Sequence, residues 1–159
     1  MWFKKKDEAS DGPTPTPVTF ERIGQSLSRL EWHYEADETY YRAFFDGYAT
    51  VFECSDSGNL FSVYSWSSGY FDGEHRFPEA LQWASQWNAN TLFGTARPYM
   101  DEDKDVIMRV DTSFLCGAGL TDEQLDEFLQ IAVACNVQAI EKYVGDLGLE
   151  RREAPQNNS

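Results

Sequence analysis

Histidine is almost absent from this chain and its cysteines are few and widely spaced, which removes the usual means of holding a transition metal. Only His33 and His75 occur, and Cys54, Cys116 and Cys135 form no C-x-x-C pair. A zinc site needs several such ligands at short spacing, so neither a metal nor a cofactor is expected. An odd number of scattered cysteines implies no disulfide framework and fits reduced thiols in the cytoplasm. Basic residues are scarce too: 13 Lys and Arg stand against 27 Asp and Glu, a net charge of −14. Residues 1–17 hold Lys4, Lys5 and Lys6 against Asp7, Glu8 and Asp11, and residues 148–159 hold Arg151 and Arg152 against Glu150 and Glu153. Both ends sum to zero, so the whole excess sits on residues 18–147. A surface this acidic repels phosphate backbones and anionic headgroups, which excludes nucleic acid as an expected partner. No apolar run approaches the ~20 residues of a membrane helix. Met1-Trp2-Phe3 passes straight into three lysines with no apolar region behind them, which is not a signal peptide. A cytoplasmic protein without membrane insertion is expected.

Motifs of catalysis are equally thin. There is no G-x-S-x-G, and no serine or cysteine stands in a recognisable nucleophile motif. Asp101-Glu102-Asp103-Lys104-Asp105 begins like a calcium loop, but the sixth and twelfth positions hold Val106 and Thr112 where Gly and a bidentate acid are needed. It reads as a solvated hairpin tip. Gly117-Ala118-Gly119 precedes a helix but lacks the Lys-Ser or Lys-Thr of a phosphate loop, and reads as a flexible joint. No catalytic residue is expected, and the chain is not read as an enzyme.

What the chain does have is aromatic residues, 15% of the total, and clear local punctuation. Phe20, Ile23, Leu27 and Leu30 recur at steps of three and four, predicting a helix over 18–31. Strands are predicted at 32–35, 40–45, 48–54 and 60–66, joined by the hairpin signals Asp46-Gly47 and Ser57-Gly58. A glycine-containing loop spans 67–76. Pro78 suits the first turn of a second helix ending near Asn88 or Asn90. Strands at 93–100 and 106–112 flank the acidic tip. Thr121 and Gln124 form a capping box, with Leu120 and Leu125 as its hydrophobic staple, for a last helix reaching about 147. The order α-β-β-β-β-α-β-β-α, with short links between strands, predicts an α+β domain with an antiparallel sheet. Residues 1–17 form a Pro-rich arm and 148–159 a polar tail, both expected to be flexible.

The two-residue turns set the faces of that sheet. Opposed residues share a face, so Tyr41, Ala43, Phe45, Tyr48, Phe52, Phe61 and Val63 read as core. The other face holds Tyr40, Arg42, Phe44, Ala49, Val51, Leu60, Tyr64 and Trp66. Tyr, Trp and Arg are the residues that interface hot spots favour. Either a helix of the same chain covers this face, or Tyr40, Arg42, Phe44, Tyr64 and Trp66 form a partner-binding surface.

Four local features together resemble the YbjN-like family. These are the first helix ending in Leu30-Glu31-Trp32, the Phe44-Phe45-Asp46-Gly47-Tyr48 hairpin, Trp87-Asn88 followed by Phe93-Gly94, and the Gly119-Leu120-Thr121 entry with Gln124-Leu125. The resemblance spans about residues 18–147 and implies a bacterial regulator, possessing a fold similar to that of type III secretion chaperones. It further implies a non-enzymatic, cytoplasmic protein able to dimerise, and brings no ligand or catalytic residues. The expectation is a regulatory or chaperone-like protein-interaction module, a homodimer with a protein partner. The rival is a small-molecule-binding or hydrolytic domain with the 67–76 loop as a lid.

Overall fold

The computed structural model describes residues 12–67, 69–70 and 72–151, without the side chain of Asp72. Helix α1 (Phe20–Arg29) begins where the Thr19 side chain accepts the Arg22 backbone N–H at 3.2 Å, and it buries Ile23 and Leu27. Strands β1 (Tyr34–Ala36), β2 (Tyr41–Phe45), β3 (Tyr48–Cys54) and β4 (Leu60–Trp66) follow as an antiparallel meander. Next come β5 (Asp72–Gly73), a 3-10 turn over Glu74–Arg76, and α2 (Phe77–Asn90). Strands β6 (Thr95–Met100) and β7 (Asp105–Leu115) form a hairpin, and α3 (Asp122–Leu147) closes the chain. The α+β class and the order of the expected elements agree with the sequence reading.

The registers agree as well. Phe45 lies opposite Tyr48 and Ala43 opposite Thr50, while Phe52 faces Val63 and Cys54 faces Phe61. Asp46 and Gly47 both take positive φ, 50° and 84°, as a type I′ turn requires. Thr121 accepts from the Gln124 N–H at 3.2 Å while the Gln124 side chain accepts from the Thr121 N–H at 2.9 Å, completing the capping box.

Several boundaries differ. Strand β7 extends to Leu115, beyond the expected Thr112, because all of β4 pairs with it, from Leu60 opposite Leu115 to Trp66 opposite Arg109. The 67–76 segment is no free loop: Asp72 and Gly73 pair with Val106 and Asp105 of β7, and the 3-10 turn leads directly into α2. That ties the supposed lid into the sheet. The docked chain also begins before residue 18. Thr16 and Leu120 exchange backbone hydrogen bonds of 3.1 and 2.9 Å, and the Arg22 guanidinium donates to the Thr16 and Pro17 carbonyls. Gly119, at φ 80°, has Thr16 backbone atoms where a Cβ would stand, so this joint is a place of close approach. At the other end Leu149 packs on the core, two residues past the expected boundary. Residues 1–11 of the arm and 152–159 of the tail lie outside the described residues.

The sheet order is β1-β2-β3-β4-β7, with β5 extending the β4 side of β7 and β6 on its far side. Ile23 and Leu27 of α1, Ala80 and Trp83 of α2, and Leu125, Leu129 and Ile140 of α3 join one core with Tyr41, Phe52, Phe61, Val63, Met108 and Val110. All three helices therefore cover the first face of the sheet. Phe45, expected in that core, is only half-buried, with Trp32 edge-on to it at 4.8 Å. At the centre of the core Asn136 of α3 is fully buried. Its amide donates to the Val63 carbonyl at 3.0 Å, and its oxygen accepts from the Thr112 hydroxyl at 2.7 Å.

Candidate interaction surface

The second face of the sheet carries no helix among the described residues. Strand registers place Glu35, Arg42, Val51, Tyr64, Asp111 and Thr95 in one row across six strands. Trp66, Arg109 and Arg97 form the adjacent row, with Tyr99 opposite Ile107 beyond it. Eight large apolar side chains are exposed among the described residues, and four of them lie on this face: Phe44, Leu60, Tyr99 and Leu115, at 60%, 37%, 38% and 88%. Half of the exposed large apolar side chains thus lie on the face that no described helix covers.

The face is ordered by polar contacts of its own. The Arg109 guanidinium lies over the Tyr64 ring, 4.0 Å from its centre, and within 5.9 Å of Trp66. Tyr64 and Trp66 meet edge to face at 5.1 Å. Asp111 is held between two arginines: Arg109 donates to one carboxylate oxygen at 2.7 and 2.8 Å, and Arg97 to the other. Each arginine brings two nitrogens to a single carboxylate oxygen, so Asp111 ties the two guanidinium groups together. The Tyr64 hydroxyl donates to Glu53 at 2.9 Å. Burial, aided by that carboxylate, pushes its pKa up to about 12, so it remains a donor at neutral pH. Trp66, Arg97, Pro98, Tyr99 and Arg109 line an open depression of about 610 Å³.

The five residues singled out from sequence fall into separate groups. Tyr64 and Trp66 touch. Tyr40 lies just before β2 and touches Arg42, which donates to its hydroxyl at 3.2 Å and sits 5.7 Å from its ring centre. Phe44 is 60% exposed. Arg97, Tyr99, Arg109 and Asp111 were missed, because they come from β6 and β7: β7 pairs with β4 across some fifty residues, and β6 joins the face only through β7. The alternation Arg97-x-Tyr99 and Arg109-x-Asp111, opposite in phase to Ala96 and Val110, was the available signal.

The β6 edge of the sheet is blunted against strand addition. Asn88 donates to the Ala96 carbonyl at 2.9 Å and accepts from the Ala96 N–H at 2.8 Å, occupying both outward backbone groups. Pro98, in the same phase, offers no N–H. These are the devices by which edge strands avoid pairing with other chains. Asn88, expected merely to end a helix, thus guards an edge.

Elsewhere the chemistry is sparse. Among the described residues no group of three or more His, Cys, Asp or Glu could hold a metal ion. Burial pushes the thiols of Cys54, Cys116 and Cys135 upward, the opposite of nucleophile activation. A cleft of about 390 Å³ between α2 and α3 is lined by Trp83, Trp87, Lys142 and Asp146. Both its indole N–H groups are engaged, by Asp146 and by the Gly94 carbonyl. No helix among the described residues is long and apolar enough to cross a membrane.

Comparison with known proteins bears on this arrangement. The YbjN family model, described as "putative bacterial sensory transduction regulator", matches residues 19–143. The crystal structure of YbjN from E. coli, described as "a putative transcription regulator", is similar with a TM-score of 0.71 and 18% identity, covering 86% of this chain and 98% of that one. An uncharacterized protein from Methanothermobacter thermautotrophicus gives a TM-score of 0.50 at 12% identity, over 79% of this chain and 99% of that one. A weaker match is the type III secretion chaperone SycH of Yersinia pestis, solved in complex with a stable fragment of YscM2. Its TM-score is 0.42 at 15% identity, over 75% of this chain and 97% of that one. No curated protein matches the sequence.

Proposed function

The chain belongs to the YbjN family, and on that premise we propose that it is a non-enzymatic regulatory module that works by docking a protein chain on the open face of its sheet. The observation that carries this reading is the concentration of exposed apolar and aromatic–arginine side chains on the one sheet face that no described helix covers. Tyr40, Arg42, Phe44, Tyr64 and Trp66 are the docking residues, joined by Arg97, Tyr99 and Arg109. The blunted β6 edge directs docking to side chains of the face, away from backbone pairing at that edge. The module acts in the cytoplasm in regulatory or chaperone-like fashion, with a homodimer as the simplest such assembly.

Site-specific photo-cross-linking in the host cell tests the reading. A benzophenone amino acid in place of Phe44 should give discrete protein adducts, while the same probe in place of Leu81, exposed on α2, should give none. Adducts from position 81 and none from position 44 would refute it.

A further inference from the structure

We infer that the end of β7 is a strand-addition site, where an extended, basic segment of a protein partner pairs with Ser113–Leu115. The inference rests on the docking role just proposed and names how the docked chain is gripped. Strand β7 outruns its neighbour β6. Their pairing reaches only from Val106 opposite Met100 to Asp111 opposite Thr95, whereas β7 continues to Leu115. The chain leaves the sheet at Gly94, which takes a φ of 78° where a Cβ would stand 3.4 Å from the Cys135 carbonyl oxygen of α3. Among the described residues no strand takes up the place beside 112–115 on that side.

The ladder with β4 decides which backbone groups face the gap. The Cys116 N–H donates to the Asn59 carbonyl at 2.8 Å, and the Ser67 N–H donates to the Met108 carbonyl at 3.0 Å. In an antiparallel ladder a residue turns its N–H and C=O to the same neighbour, and successive residues alternate. The even-numbered residues of β7 therefore bond β4, and the odd-numbered ones point the other way. Arg109 and Asp111 meet Arg97 and Thr95 of β6 in this manner. Ser113 and Leu115 point both their N–H and C=O groups past the end of β6. An unpaired row of this kind is a template for another strand.

Side chains around the gap decide what fits, since strand addition takes its affinity from backbone groups and its selectivity from contacts with alternate side chains. Leu92 and Leu115 are the most exposed large apolar residues among those described, at 87% and 88%, and both lie at this corner. On the helix side exposed Phe93 lies 6.0 Å from Phe114, whose ring stacks on Phe128 at 4.6 Å. A partner residue opposite Phe114 turns its side chain toward these rings, and those opposite Ser113 and Leu115 turn theirs to the open face. The segment that fits is therefore apolar at alternate positions. Charge makes it basic as well. Glu127 is exposed next to Phe128, and the chain carries −14 in all, so Lys and Arg are drawn to this corner and Asp and Glu repelled.

Fluorescence anisotropy of the full chain with a labelled peptide, Lys-Thr-Val-Thr-Val-Thr-Lys, tests the inference. The peptide should bind, and more weakly as NaCl rises from about 50 mM to about 0.5 M. Its threonine N–H groups face β7 when its valines face the rings. Methylating those nitrogens should weaken binding by roughly tenfold or more, while methylating the valine nitrogens should change it less than about twofold. Ser113→Pro removes an N–H that β4 does not use, and should weaken binding by roughly tenfold or more while circular dichroism shows the fold retained. Leu115→Lys, at an exposed position, sets a like charge against the peptide and should weaken binding as well, which keeps the test valid if the proline variant fails to fold. Phe44→Ser should leave binding unchanged. A peptide that does not bind, or binds alike whichever nitrogens are methylated, would overturn strand addition. Binding lost in Phe44→Ser and kept in both edge variants would put the peptide on the sheet face, overturning the edge site and leaving the docking role standing. That role fails separately, by the cross-linking result at position 44.

Discussion

Asn136→Leu should be among the most damaging conservative changes in the molecule. Asn136 is fully buried in α3 and joins that helix to two strands of the sheet. Leucine has nearly the same volume, so packing is largely kept and the loss is polar. The Thr112 hydroxyl, 2% exposed, loses its acceptor at 2.7 Å, and the Val63 carbonyl loses a donor at 3.0 Å. A stranded buried group costs about 1–3 kcal/mol. Two such groups, less the gain from burying apolar surface, give a net loss of about 3 kcal/mol. At roughly 2–4 °C per kcal/mol for a chain of this size, the melting temperature should fall by about 6–12 °C. Urea denaturation followed by tryptophan fluorescence measures the loss directly. The origin of the effect is separable: Thr112→Val removes one of the two stranded groups, so the double variant should be less destabilised than the sum of the singles by about 1 kcal/mol or more. Strict additivity, or a loss below about 1 kcal/mol for Asn136→Leu, would refute the account of this contact as a satisfied buried network.

Thr121→Ala removes an N-cap and half of a capping box, and should cost about 1 kcal/mol in a thermal melt. Asn88→Ala uncovers both outward backbone groups of Ala96; it should lower stability by about 1–3 kcal/mol and produce concentration-dependent light scattering as the β6 edge becomes available. Burial pushes the Asp126 carboxyl upward, but hydrogen bonds from Arg29 and Ser26 outweigh it and hold the carboxyl below its usual range. Its contribution to stability is thus complete above the unfolded-state value and lost as pH falls through the lower folded-state value. Asp126→Asn should flatten the acid limb of the stability profile, and an unaltered limb in pH-dependent melts would contradict this.

The features legible before any folding are local ones. The two-residue type I′ turn at Asp46-Gly47 sets the register of β2 and β3, and alternation then assigns every side chain to a face, while the Ser57-Gly58 signal joins β3 to β4 through a longer loop in which Gly58 takes positive φ and donates to the Ser55 carbonyl. The capping box at Thr121 and the punctuation around Pro78 are likewise contained within a few residues. Everything that joins distant segments emerged only on folding. Strand β7 became the partner of β4, β5 and β6 together, and so brought Arg97, Arg109 and Asp111 beside Tyr64 and Trp66. Thr16 docked on Leu120 through the space Gly119 leaves, and Asn88 reached across to Ala96. All three helices settled on one side of the sheet, and among the described residues none covers the other. Such pairings depend on competition among many apolar surfaces for one core, with loop closures of tens of residues whose cost varies little with partner. A turn carries its own geometry in two residues, while the choice between two faces of a sheet is made only when all three helices have found theirs.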